Sequence, residues 1–194
     1  GRRVSSNYIS NIIKGYDNDF WIGTWGGGLY KADAGIEVME EIEIDFVADF
    51  SGLLVKGREN LWTLDGNSLH KFSLNTERVE VLEGVDRNAD NTLFSAICYS
   101  TEECLWIGSK NQLFRYDIAL DSLKSVQMPI DEDFIVTGLI EDDEGIIWGN
   151  SNNAIFRFVP SSEEFNYFHI PDRIPLKKLF LNPFRKTLEG DLLV

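Results

Sequence analysis

The chain is poor in the residues that build reactive centres. Its 194 residues include two cysteines, Cys98 and Cys104, and two histidines, His70 and His169. Two cysteines cannot frame a disulfide-stapled scaffold, and beside so few histidines they make a poor zinc set. The sequence therefore predicts neither metal nor cofactor. Bases are scarce as well: 18 Lys and Arg face 32 Asp and Glu, a net charge of −14. That balance argues against nucleic acid or an anionic membrane as partner, because both need a basic footprint. No apolar run approaches the roughly 20 residues of a membrane helix, so no direct membrane insertion is expected. The opening "GRRVSSNY" lacks the apolar region of a signal peptide. Sustained helical periodicity is missing, and so are G-x-S-x-G and GK[ST]. No catalytic residue stands out, and the segment is not expected to be an enzyme.

Apolar residues, in contrast, make up 43% of the chain and aromatics 12%, enough for a packed core. They recur. "GYDNDFWIGTWGGGLYKAD", "GRENLWTLDGNSLHKFS", "TEECLWIGSKNQLFRYD" and "DDEGIIWGNSNNAIFRFV" align on Trp21, Trp62, Trp106 and Trp148, which are 41, 44 and 42 residues apart. A degraded fifth copy at "LEGDLLV" puts Leu193 in the tryptophan slot. Seven or eight residues after each tryptophan stands an aliphatic, Leu29, Leu69, Leu113 or Ile155. A base follows two positions on, at Lys31, Lys71, Arg115 and Arg157. Nine and eight residues before each tryptophan lie Ile12/Ile13, Leu53/Leu54, Ile97/Cys98 and Leu139/Ile140.

Each unit divides into about four short alternating segments between polar turns, the pattern of strands. A period of about 42 residues with four strands per unit predicts a β-propeller of four-stranded antiparallel blades. One blade cannot cover both its faces, so blades must stack. The tryptophans and aliphatic pairs are expected between blades, with the base column facing solvent by alternation. The whole of 1–194 reads as a partial, all-β propeller with an incomplete ring. Its blades fall at approximately 4–45, 46–85, 90–130, 133–170 and 176–194, the last only a start. Closed propellers have about four to eight blades, so the open flanks call for a covering partner. The remainder of the same propeller and a second copy of the chain are the two expected.

The glycines at Gly26–Gly28 are followed by a strand-like stretch rather than a helix, so they read as a turn and not a phosphate cradle. Loops joining second and third strands share one propeller face, where ligands commonly bind. They carry Trp25, Asp65, Asn67, Lys110, Asn111, Asn150, Asn152 and Asn153. An aromatic face plus amides and a carboxylate would suit a sugar, while Asn, Asp and Gly are also plain turn formers. Trp25 is the one residue among them that a turn does not explain. Cys98 and Cys104 flank the "YSTEE" turn. A disulfide across that hairpin in an oxidising compartment is one reading, and a small core residue at Cys98 is the other.

"WIGTWGGGLYKAD" and "CLWIGSKNQLFRYD" closely resemble the two-component-regulator propeller repeat, with its "lWiGT" and "GGLyrfd" segments. "GIIWGNSNNAIFRF" is read as having lost the residue between Trp148 and Gly149, and "NLWTLDGNSLHKFS" is the most divergent. The resemblance covers nearly the whole chain. It implies part of the extracytoplasmic, periplasmic sensor region of a hybrid two-component system of the Bacteroidetes kind, ahead of a histidine kinase. It also implies a carbohydrate breakdown product, an oligosaccharide, as ligand. A scaffold for protein association is the alternative, and a propeller lyase or hydrolase a further one.

Overall fold

The computed structural model describes residues 9–15, 18–24, 28–35, 37–42, 54–57, 59–65, 68–76, 78–82, 93–130, 134–151, 154–169, 185–187 and 192–193. Among these residues every regular element is a strand. The chain divides into two units, Gly1–Arg87 and Asn88–Val194.

The first unit holds two sheets. One is β1 (Ile9–Lys14), β2 (Phe20–Thr24), β3 (Gly28–Ala32) and β4 (Met39–Ile42). The other is β5 (Leu54–Lys56), β6 (Asn60–Asp65), β7 (Ser68–Ser73) and β8 (Val79–Leu82). The second unit repeats the plan with β9 (Ala96–Tyr99), β10 (Cys104–Gly108), β11 (Gln112–Asp117) and β12 (Ser122–Gln127). It continues with β13 (Gly138–Glu141), β14 (Ile147–Asn150), β15 (Ala154–Val159) and β16 (Glu164–His169). A short hairpin, β17 (Arg185–Lys186) with β18 (Leu192–Leu193), falls where the degraded fifth copy lies. Each four-stranded sheet is an antiparallel meander in chain order, a blade. First strands lie side by side within each unit, β1 by β5 and β9 by β13.

Local chemistry closes the hairpins. Between first and second strands, main-chain N–H groups of Gly15, Ser100 and Asp142 donate to carbonyls four residues on, at Asp19, Cys104 and Ile146. The turn residues Asn18, Glu103 and Gly145 hold positive φ (59°, 57° and 77°), a conformation open to Gly and Asn and tolerated in turns. The second blade closes one residue sooner, Gly57 N–H to Asn60 carbonyl. That difference corrects one column of the repeat. Trp62 pairs with Val55, not Leu54, whereas Trp21, Trp106 and Trp148 pair with Ile13, Cys98 and Ile140.

A second correction concerns the fourth blade, whose second strand loses no residue. Trp148 pairs with Arg157 and Gly149 with Phe156, as Trp106 pairs with Arg115 and Ile107 with Phe114. Gly149 thus fills the isoleucine slot. A side chain there would run into the Phe156 ring and come within 2.9 Å of Leu139. Position 149 is a glycine because its neighbours already use the space.

The core is made between blades. In the first unit Trp21, Leu29 and Ile42 of blade one pack on Leu61 and Phe72 of blade two. In the second, Trp106 and Leu113 of blade three pack on Leu139, Ile147, Phe156 and Phe158 of blade four, with Val136 of the connector between. The contact repeats in detail. Trp21 meets Phe72 and Trp106 meets Phe158, each with ring centroids 5.4 Å apart. Such tilted ring pairs add about 0.5–1.5 kcal/mol to the area they bury.

Candidate functional site

The face named by the sequence is best defined in the second unit. There the loop 109–111 and the connector 134–137 run together. Lys110 and Ile135 form an antiparallel bridge, and Val136 N–H donates to the Ser109 carbonyl at 3.2 Å. Asn111, at φ 57°, is the clasp. Its Oδ1 accepts from Phe134 N–H at 2.7 Å, its own N–H donates to the Phe134 carbonyl at 2.8 Å, and its carbonyl accepts from Met128 and Gln127. Ser95 Oγ adds a bond to the Val136 carbonyl at 2.6 Å. Asn150 is 2% exposed. Its Nδ2 donates to Thr137 Oγ1 at 3.1 Å, while its carbonyl accepts from Thr137 N–H.

The eight loop residues therefore divide. Asn111 and Asn150 fix the connector between blades three and four. Lys110 is exposed beside them. Asp65 ends β6, its backbone paired with Ser68. Trp25, Asn67, Asn152 and Asn153 lie outside the described residues.

The anchors Trp21, Trp62 and Trp106 are 3%, 1% and 3% exposed, but Trp148 is half-buried. Each stands directly opposite the base of the third strand: Lys31, Lys71, Arg115 and Arg157. Direct cross-strand partners share a face, so the bases lie over the tryptophans and are half-buried rather than simply solvent-facing. Lys31 Nζ sits 5.3 Å from the Trp21 ring centre. Among the described residues three of the four bases have carboxylate partners: Asp19 for Lys31, Glu80 for Lys71, and Glu102 with Asp117 for Arg115.

Cys98 and Cys104 are free thiols, both buried. Cys98 lies opposite Trp106, and Cys104 meets Ser100 across the hairpin, so the two share one core cluster without being direct cross-strand partners. Burial pushes the Cys98 thiol well up, helped by Glu141 and Cys104. Burial also raises Cys104, against the Ser100 hydroxyl and the Arg115 guanidinium. Both stay protonated in the core at neutral pH. His70 is buried in β7, at 5% exposure, and His169 is exposed at the end of β16. Among the described residues no three His, Cys, Asp or Glu gather as a metal-holding group.

Sequence reasoning missed the clamp between blades three and four. Glu141 takes Thr101 at both carboxylate oxygens, from its N–H at 2.8 Å and its hydroxyl at 2.9 Å. Sequence reasoning also passed over the acidic turn, where Asp142 accepts from Glu144 N–H and Ile146 N–H and from Trp148 Nε1 at 2.7 Å. The signal was available: Asp142 opens a tight turn six residues before the anchor.

No family model matches the chain, and no curated protein matches it. The solved structures do. An extracellular domain assigned to a one-component system of B. thetaiotaomicron superposes with a TM-score of 0.74 at 20% identity, over 99% of this chain and 26% of its own length. An extracellular domain assigned to a hybrid two-component system of the same organism gives 0.75 at 15% identity, over 95% and 26%. A catalytically inactive His-to-Ala virginiamycin B lyase of Staphylococcus aureus, held with quinupristin, gives 0.71 at 14%, over 86% and 57%. The fold is that of an incomplete β-propeller. The chain spans about a quarter of the length of the extracellular domains it matches, and these are of the class that the repeat motif resembles.

Proposed function

We propose that the chain is a non-catalytic part of the extracytoplasmic, periplasmic sensor region of a hybrid two-component signalling protein, and that the region binds a carbohydrate breakdown product. The observation that carries this reading is double. The repeats resemble the two-component-regulator propeller motif over nearly the whole chain, and the fold matches such extracellular domains over 95–99% of it. The kinase would lie in a further part of the polypeptide.

Ligand contact falls to the second-to-third-strand loops, with Trp25 as platform for a sugar ring and Asp65, Asn67, Asn152 and Asn153 as hydroxyl partners. Lys110 belongs to the same set. Asn111 and Asn150 serve it indirectly, by holding the connector beside the loop. Calorimetry and a glycan array test the reading. Saturable binding of an oligosaccharide without bond cleavage, lost in Trp25→Ala, is the expected result. A turned-over glycan, or no glycan bound by the chain or by a longer sensor region containing it, overturns it.

A lyase is the second reading, favoured by the fold match to the streptogramin-cleaving enzyme. That enzyme is inactive when a histidine is replaced by alanine. Here His70 is enclosed in β7 and His169 stands apart at a strand end. Elimination of quinupristin by the purified chain would establish the lyase reading.

A further inference from the structure

One apolar column of the repeat is not explained by packing, and it lies in the connectors. The first-strand partners of the anchors are Ile13, Val55, Cys98, Ile140 and, in the short hairpin, Arg185. Five residues before each stand Tyr8, Phe50, Leu93, Ile135 and Phe180, every one a large aliphatic or aromatic. Of these, Leu93 and Ile135 are among the described residues, and they are 66% and 46% exposed. Their successors Phe94 and Val136 are 6% and 0% exposed. Alternation along an extended chain would put a polar residue outside each buried one. The repeat keeps an apolar residue there instead, and an apolar side chain held in water at a repeated position calls for something to touch.

Both residues lie on the face of the second-to-third-strand loops. Ile135 is bridged to Lys110 of the blade-three loop. Ser95, two residues after Leu93, bonds through Oγ to the carbonyl of Val136, one residue after Ile135. Leu93, Ile135 and Lys110 thus stand on adjoining segments of one surface within the second unit. In the first unit the same count gives Trp25 the position of Lys110 and Phe50 the position of Ile135. The loop residue that a turn does not explain and the column residue therefore share one register.

We infer that Leu93 and Ile135 are ring contacts of the ligand site, each lying against the apolar face of one pyranose of an oligosaccharide, with Lys110 at the rim of hydroxyls. This rests on the sugar-binding reading above and extends it: the connectors carry ring contact as well as the loops, and the ligand spans at least two sugar rings. The chemistry of the surface favours a sugar. It offers one apolar side chain per connector with a polar loop residue beside them, and a pyranose offers an apolar C–H face edged by hydroxyls. A stable protein partner would need about 800 Å² of each surface, far more than two side chains and a lysine supply.

Calorimetry on the full 194-residue chain tests this, with maltohexaose, cellohexaose, xylohexaose and an oligogalacturonate as probes and native circular dichroism required of each variant. At least one probe should bind. Leu93→Ser and Ile135→Ser should each weaken that binding about tenfold, the loss of one covered aliphatic side chain. Leu93→Phe should bind as well as the parent or better, because aromatics hold this position in other copies. Leu120→Ser should bind like the parent, since Leu120 is 73% exposed in the turn at the other end of blade three. Parent-like binding by both serine variants overturns the inference and leaves the sugar-binding reading standing. So does an equal loss in Leu120→Ser, or a monosaccharide that binds as tightly as the hexamer. No probe bound by the chain, or by a longer sensor region containing it, overturns the inference and that reading together.

Discussion

Trp106 and Trp148 hold the same place in successive blades and live in different surroundings. Both pair with an aliphatic or small residue on the first strand and an arginine on the third. Trp106 is 3% exposed under Phe158. Trp148 is half-buried, its indole N–H spent on Asp142 of its own turn. A repeat thus specifies the blade, but the energy of the column comes from what covers it. Truncation is the most forceful way to break the comparison. Trp106→Ala should cost about 3–5 kcal/mol, the range for removing a large core aromatic. Trp148→Ala should cost only about 1–2 kcal/mol, in proportion to the area it buries. Urea unfolding followed by circular dichroism reads both. Equal losses would mean that Trp148 is covered after all.

The glycine of blade four sharpens the comparison from the other face. Gly149 faces blade three, not the open side, and Phe156 and Leu139 fill the space over it. Gly149→Ala should destabilise by about 1–3 kcal/mol through overpacking. Gly108→Ala should fall in the same range, since its side chain would meet Val136 at 2.5 Å. Thermal melts of the two variants settle the matter. A neutral Gly149→Ala would show that Phe156 can yield.

Much of this was legible in the sequence, and the failures have identifiable causes. The period, the four strands per unit and the tryptophan column follow from apolar spacing, which the fold must respect because the described inner strands of each blade are buried. The placing of Leu54 failed because counting back from Trp62 assumes turns of equal length, and the second blade's turn is one residue shorter. The base column was read from alternation along one strand, which cannot reveal that the opposite residue on the next strand is the tryptophan. Asn111 and Asn150 look like turn formers or ligand contacts in sequence. Their hydrogen bonds to Phe134 and Thr137 span 23 and 13 residues, a distance that no local pattern carries.

The clamp at the hairpin end is worth less than either packing feature. Glu141→Ala removes both bonds to Thr101, one to a main-chain N–H, and should cost about 1 kcal/mol. Thr101→Ala should cost less, because the N–H bond survives. The Lys124–Glu163 pair joins the same two blades at 3.3 Å but is well exposed on both sides. Its loss in Glu163→Ala should be within the error of a urea melt, as for most exposed ion pairs. A larger effect there than at Glu141 would reverse the order in which the two contacts hold the blades together.

A small effect that depends on pH is expected from Tyr167, which pairs with Phe156 on the covered side of blade four. Its hydroxyl is buried without a hydrogen-bond partner among the described residues. Burial pushes its pKa up to about 12 from the ordinary 10.0. The unfolded chain therefore gives up this proton first as pH rises. Stability from the neutral phenol is complete below about pH 10 and is lost as pH climbs through about 12. Tyr167→Phe deletes an unsatisfied polar atom and keeps the ring against Phe134 and Phe165. At pH 7 it should be neutral or stabilising by up to about 1 kcal/mol. Between pH 9 and about pH 11 the variant should lose less stability than the parent. Paired melts across that range test the sign. A Tyr167→Phe variant that is destabilised at pH 7 and follows the parent's alkaline slope would place a partner on that hydroxyl, and with it a polar contact inside the apolar interface between blades three and four.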